Sequence, residues 1–365
     1  MTTFAIALLL SSFGLSVVLT AVVKSWAVHT GMVARPAADR YHRTVIPLGG
    51  GIAIFATLII FILAGAAAMR LLLIPGRFAW VAERANIVPA DFTGKLPQLA
   101  VTLIAVAALF TLGLWDDIKH LSPFSKLAVQ FAVALMAAGF AKVRVEFFIE
   151  NTLITSILSA SWIVLMINAF NFLDNMDGLC AGIAVIASSI LFTAAAISGQ
   201  IFVGGLALVF VGVLCGFLVF NFPPAKIFMG DAGSMVVGFF VAMLTLRTTY
   251  YHQAQSGQWY PVLMPLIVMA VPLYDFVSVT LLRIRQGKSP FVGDTQHFSH
   301  RLRKRGLSDT QTALTLYLAT LCTGLGAIFL YQVNLAGAML IFVQTVMVLA
   351  IIAILEATSN NDKKP

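Results

Sequence analysis

Five of the fifteen acidic side chains fall in three short polar stretches between long apolar runs: Asp116, Asp117, Asp174, Asp177 and Asp231. Asp116 and Asp117 are adjacent, so their repulsion calls for a nearby cation or a raised pKa. A solvated helix end is the competing reading of that pair. In the stretch Asn168-Ala-Phe-Asn171-Phe-Leu-Asp174-Asn-Met-Asp177-Gly178, polar groups recur at every third position. On a helix they would form one slowly drifting stripe. Amide and carboxylate oxygens converging in this way suit a hard cation such as Mg2+. Asn and Asp are also good helix caps, and a capping loop is the alternative.

A third stretch runs Asn221-Phe-Pro-Pro-Ala-Lys-Ile-Phe228-Met-Gly230-Asp231-Ala-Gly233-Ser234. Its glycines permit close backbone approach, and a helix starting there would offer amides to an anion. Asp231 beside that positive end makes sense if it holds a metal that bridges phosphates; a turn with an Asp cap is the plainer reading. The fourth stretch, Arg283 to Gln311, carries His297, His300, Arg301 and Arg303. The two histidines are spaced for one helix face, but no third zinc ligand accompanies them. Anion binding is the functional reading, against a solvated basic loop.

The elements that must position these groups are membrane helices. The 365 residues are 60% hydrophobic and 10% charged, with a mean hydropathy of +0.95. That composition excludes an ordinary soluble enzyme, a disordered chain and a secreted disulfide scaffold. Eleven apolar runs of bilayer length are expected, near 4–23, 47–69, 97–115, 127–141, 153–170, 179–197, 202–220, 234–248, 261–281, 312–331 and 335–355. They lack the alternation of lipid-facing strands, so the fold expected is an all-α integral membrane bundle, residues 1–365 forming a single polytopic domain. No basic segment precedes the first run and Lys24 follows it, so a cleaved signal peptide is not expected.

With eleven spans, sixteen of the 23 Lys and Arg residues share one face with the C-terminus. The positive-inside rule makes that face cytoplasmic and puts the N-terminus outside. All four polar stretches lie on the same face. Cys180, Cys215 and Cys322 fall within apolar runs, with no metal or redox spacing. The net charge of +8 reads as topology and attraction to anionic lipid rather than nucleic-acid binding, because no soluble domain presents a basic groove.

In order and spacing, these residues resemble the polyprenyl-phosphate N-acetylhexosamine-1-phosphate transferases, of glycosyltransferase family 4 type. The matching pieces are Arg40-Tyr-His42-Arg43, Asp116-Asp117, the Asn168–Asp177 stretch, Phe228-Met-Gly-Asp231 and Gln296-His297-Phe-Ser-His300. The resemblance implies ten or eleven membrane helices around a cytoplasmic, Mg2+-dependent site, with Mn2+ as the alternative ion. It further implies transfer of a sugar-1-phosphate from a UDP-sugar to polyprenyl (undecaprenyl) phosphate, with release of UMP. That reaction is the first membrane step of a cell-envelope polysaccharide in a bacterial inner membrane.

Pro272-Leu-Tyr-Asp275, Lys288-Ser-Pro-Phe291 and Asp294-x-Gln-His297 resemble the WecA/TagO-like branch, which uses UDP-GlcNAc. The branch acting on UDP-MurNAc-pentapeptide is the alternative. Two positions depart from the pattern: Ser299 replaces a histidine of His-x-His-His, and Asn175 stands where a small residue is common.

On this resemblance Asp231 is the principal metal ligand, with Asn171 and Asp174 beside it. Asp116 is the candidate base and Asp117 supports the metal or the lysine. Phe228 and Asn221 meet uracil. Lys126, His297, His300 and Arg301 hold phosphate or sugar, and His42, Arg43, Asn168 and Asp177 complete the substrate-binding set. An aspartyl-phosphate intermediate is the competing mechanism. A secondary transporter is the rival from another class, and it rests on the deep acid Asp275. The sequence leaves a homodimer open.

Overall fold

The computed structural model describes residues 2–34, 45–84, 90–145, 149–248, 259–289 and 296–357. Helices dominate them, namely α1 (Thr2–Thr30), α2 (Gly50–Ala68), α3 (Leu96–Lys119), α4 (Pro123–Gly139), α5 (Thr152–Leu173), α6 (Leu179–Ile197), α7 (Ile201–Asn221), α8 (Gly230–Arg247), α9 (Ala270–Arg285), α10 (Asp309–Ile328) and α11 (Leu335–Ala357). Among the described residues the strand content is a two-residue antiparallel pair, Val33–Ala34 with Ile46–Pro47. The protein is a multi-pass, all-helical membrane protein.

Each of the eleven expected runs falls on a helical element, but not all are full spans. Nine described helices are long and apolar enough to cross a membrane, ten if a bent pair counts as one. Tyr260–Val268 and Ala270–Arg285 form that pair, meeting at 64°. Pro272 explains the break: it has no N–H to bond the carbonyl of residue 268, and its ring crowds that turn. The run expected at 127–141 is α4, with only 17 residues (~26 Å). It starts earlier because the Ser122 hydroxyl accepts the Ser125 amide and Pro123 stands in the first turn. That shift moves Lys126 from a loop onto a helix.

Helix α8 lies at the centre, packed against α5, α3 and α2. Outer helices such as α1 and α11 keep most of their surface for lipid. Glycine makes the central contacts close. A Cβ at Gly51 of α2 would lie 2.3 Å from the Gly233 nitrogen, and one at Gly113 of α3 would lie 2.5 Å from the Ala232 Cα. Small residues of this kind let membrane helices meet backbone to backbone. They bring the first turn of α8 against the end of α3.

Candidate active site

Antiparallel neighbours put the C-terminal ends of α3, α5 and α7 and the N-terminal ends of α4 and α8 at one end of the bundle. The acids gather there. Asp117 occupies the last turn of α3 and reaches across to α8, accepting the backbone amides of Asp231 at 2.8 Å and Ala232 at 3.2 Å. It therefore caps a helix more than a hundred residues away, and its charge meets the positive end of the helix dipole. Gly230 adopts φ +75, and a Cβ there would lie 2.7 Å from an Asp117 carboxylate oxygen. Only glycine leaves room for this cap.

Asp116 is buried. Its Oδ1 accepts the Leu121 amide at 2.6 Å, and its Oδ2 accepts the Lys126 ammonium at 2.7 Å. Lys126 also reaches Asp231 Oδ2 at 3.2 Å, so one lysine joins two carboxylates from α3 and α8. The other oxygen of Asp231 accepts Asn171 Nδ2 at 3.1 Å, and the same amide donates to the Ser234 hydroxyl at 2.9 Å. Asp174 ends α5. Burial, and then the neighbouring carboxylates of Asp231 and Asp117, push its carboxyl well above the usual range.

This donor set fits a divalent cation. Four carboxylates share one lysine between two of them, and the repulsion felt by Asp174 is what a cation would relieve. Among the described residues no three His, Cys, Asp or Glu side chains stand close enough to encircle a metal by themselves. Mg2+ does not need such a cage: it keeps several waters and takes one or two carboxylates together with substrate phosphates.

The remaining expected residues separate into groups. Asn168 turns away, donating from its amide to Gln130 Oε1 at 2.7 Å and to the Val164 carbonyl. Asn221 braces two loops: its Oδ1 accepts the Gly178 amide at 3.1 Å, and its Nδ2 donates to the Ile227 carbonyl at 2.9 Å. Asp177 accepts the Ala225 amide at 2.8 Å. Phe228 is half-buried, and its main chain bonds Pro47 and Gly50, which ties the start of α2 to the loop before α8. His42 and Arg43 lie outside the described residues, as do Phe291 and Asp294.

The histidine segment forms a second layer. His297 Nδ1 pairs with Asp275 Oδ2 at 2.9 Å, and the Phe298 amide donates to Asp275 Oδ1 at 3.0 Å. Asp275 is thus a partnered acid rather than an isolated charge in a pathway, which removes the feature on which a transporter reading rested. His300 is buried, and burial followed by the charge of His297 pushes its pKa down to about 4. Arg301 is committed to a strut, pairing with Glu356 at 3.0 Å and donating to the Ser278 hydroxyl at 2.9 Å. Ser299 donates to Asn175 Oδ1 at 2.7 Å and joins this layer to the acidic loop. An apolar cavity of about 610 Å³ opens at the other end of the bundle, near Phe4, Phe61, Leu99 and Phe202, away from the carboxylates.

Sequence reasoning missed Gln130, Ser234, Ser278 and Glu356 as partners. Gln130 left a signal, being a polar residue inside an apolar helix. The pairing of Asp117 with α8 left none, because a cap supplied from another helix has no local pattern.

Residues 99–249 match the model of the family described as "Glycosyl transferase family 4". A Thermotoga maritima protein is 30% identical over 303 residues, covering 83% of each chain; it is named undecaprenyl-phosphate alpha-N-acetylglucosaminyl 1-phosphate transferase. The chain belongs to glycosyl transferase family 4. Other relatives are similar to this chain along most of their length. A Bacillus subtilis protein, named a probable undecaprenyl-phosphate N-acetylglucosaminyl 1-phosphate transferase, is 29% identical over 95% of this chain and 91% of its own. A Salmonella typhi protein named undecaprenyl-phosphate alpha-N-acetylglucosaminyl 1-phosphate transferase is 27% identical over 85% of this chain and 80% of its own. The family-4 match spans α3 to α8 and thus includes the whole acidic cluster.

Proposed function

We propose that the protein transfers GlcNAc-1-phosphate from UDP-GlcNAc to a polyprenyl phosphate, releasing UMP, at the cytoplasmic face of a bacterial inner membrane. The names of the relatives supply the substrates. The observation that carries the mechanism is Lys126, shared by Asp116 and Asp231 at 2.7 and 3.2 Å.

An oxygen of the lipid phosphate attacks the sugar-bearing phosphorus of the donor. The bond from that phosphorus to the bridging oxygen breaks, and the oxygen leaves with UMP. The reaction asks for positioning and charge neutralisation. Asp231 would hold Mg2+, with Asn171 and Asp174 beside it; when bound, the ion neutralises the diphosphate and polarises the phosphorus. Lys126 keeps Asp116 and Asp231 in fixed relation, and Asp116, released from Lys126, would be the base for the acceptor's last proton. With a second phosphate pKa near 6, little base catalysis is needed at neutral pH. Asp117 works through the main chain of α8, fixing where Asp231 stands. Phe228 meets uracil from the loop that Asn221 and Asp177 brace. His297 and His300 face phosphate or sugar, with Arg301 holding their helix in place.

The test is UMP release by purified protein supplied with UDP-GlcNAc and polyprenyl phosphate, with and without a chelator. Release that stops on chelation and returns with Mg2+ is expected. No release with both substrates present, or release indifferent to the chelator, overturns the reading.

A further inference from the structure

Asp275 has no exposed surface, and the mechanism above does not use it. Burying a carboxylate without compensating partners is strongly unfavourable. Here both oxygens are spent on consecutive residues, Oδ2 on His297 Nδ1 at 2.9 Å and Oδ1 on the Phe298 main-chain amide at 3.0 Å. The imidazole and the backbone beside it are therefore held by one rigid group. With Nδ1 committed, Nε2 is the nitrogen that remains for a substrate.

His297 packs beside the stretch of chain that carries the acidic cluster. Its ring stands nearly perpendicular to that of Phe172, with centroids 5.2 Å apart, and Phe172 follows the candidate ligand Asn171 in the chain. The Arg283 guanidinium lies 5.0 Å from the centre of the same ring, so a guanidinium and the imidazole share Phe172. About 7% of the His297 side chain remains accessible, which is room for one directed contact rather than for general solvation.

We propose that Asp275 is a positioning residue, fixing His297 so that its Nε2 holds a substrate phosphate oxygen. The proposal rests on the transferase reading and names the contact that reading left undivided between phosphate and sugar. The phosphate belongs either to the donor diphosphate or to the lipid acceptor, and kinetics separates the two.

The experiment measures UMP release from full-length protein, varying UDP-GlcNAc and polyprenyl phosphate in turn. Wild type is compared with Asp275→Asn, His297→Gln and the double variant. Each single change is expected to raise KM for one substrate by ~10- to 100-fold, the range of a charge-assisted hydrogen bond, with kcat altered by less than about threefold. The double variant should be no worse than His297→Gln. A KM rise for UDP-GlcNAc assigns the donor phosphate, and one for polyprenyl phosphate assigns the acceptor.

Losses that multiply in the double variant overturn the proposal, as does a fall in kcat with both KM values unchanged. If Asp275→Asn does not purify as a monodisperse protein, Asp275→Glu takes its place. It keeps the charge but displaces it, and should give a smaller KM rise that vanishes in the His297→Gln background. A KM rise that persists in that background overturns the proposal. Wild type inactive with both substrates defeats the transferase reading itself; an active wild type with multiplying losses defeats only the role of Asp275.

Discussion

The Ser299 hydroxyl donates to Asn175 Oδ1 at 2.7 Å, across 124 residues of chain. These are the two positions at which the sequence departs from the pattern of the family it resembles, and they touch each other. Asn175 also donates to the Phe172 carbonyl, so the link fastens the histidine helix to the turn that carries Asp174 and Asp177. A histidine at 299 would have to occupy a fully buried place already facing the Asn175 amide.

The contact makes the two departures compensate each other. Ser299→His alone overpacks the site and should cut activity at least tenfold. Asn175→Gly together with Ser299→His should recover most of it, because the glycine opens the space the ring needs. UMP release from the four proteins checks this. A double variant as poor as Ser299→His would mean the two positions vary independently.

Asp117 and Asp231 should fail in different ways. Asp117→Ala removes a charged cap from two backbone amides and should lower stability by ~1–3 kcal/mol, visible as a drop in detergent melting temperature. Asp231→Asn keeps the fold and loses activity by orders of magnitude, because its carboxylate charge is what a cation and Lys126 require. Equal melting temperatures for Asp117→Ala and wild type would contradict the capping role.

Much of this was legible in the sequence. Helix identity followed from apolar runs, because a backbone in lipid must satisfy its own hydrogen bonds. The acids were legible because they cluster at span ends on the face where the positive-inside rule calls for basic residues. The bend at Met269 was hidden inside a run long enough to read as one span, although Pro272 marked it. Arg301 read as an anion-binding residue because its partner, Glu356, lies 55 positions away on the last helix. Asn221 read as a substrate contact, yet both ends of its amide are used on backbone. For Arg301 and for the Asn221 contact with Gly178, the missing information was a partner distant in sequence.

Acid should weaken the protein through His300. Its pKa falls from 6.5 to about 4 in the fold, chiefly by burial, so the unfolded chain binds the proton more readily. Stability from keeping it neutral is complete above pH 6.5 and is lost as pH falls from there towards 4. His300→Gln should flatten the decline in melting temperature across that window. An unchanged slope would show that His300 does not govern it.

The cytoplasmic placement of the site is tested by labelling. After the three native cysteines are replaced, single cysteines at Ser122 and Ser289 should react with a membrane-impermeant reagent only in opened vesicles. One at Ser256, outside the described residues, should react in intact cells. The reverse pattern would place the acids outside, away from cytosolic UDP-sugars, and would contradict the positive-inside argument.

Donor choice turns on the segment from Arg283 to the start of α10. A pentapeptide-bearing donor needs space and partners for a long substituent. Here His297, which caps a short helix, and His300 within it are both buried, held by Asp275 and by the strut from Arg301 to Glu356. That arrangement suits a compact N-acetylhexosamine. Turnover is expected with UDP-GlcNAc, and efficiency with UDP-MurNAc-pentapeptide should be at least ~100-fold lower, a gap of about 2.7 kcal/mol in transition-state binding. UDP-GalNAc differs by the orientation of one hydroxyl and should fall between them. Steady-state rates with the three donors, measured side by side, decide the order. Equal or better use of the pentapeptide donor would mean that the histidine layer opens more widely than its hydrogen bonds imply, and would move the protein to the peptidoglycan branch.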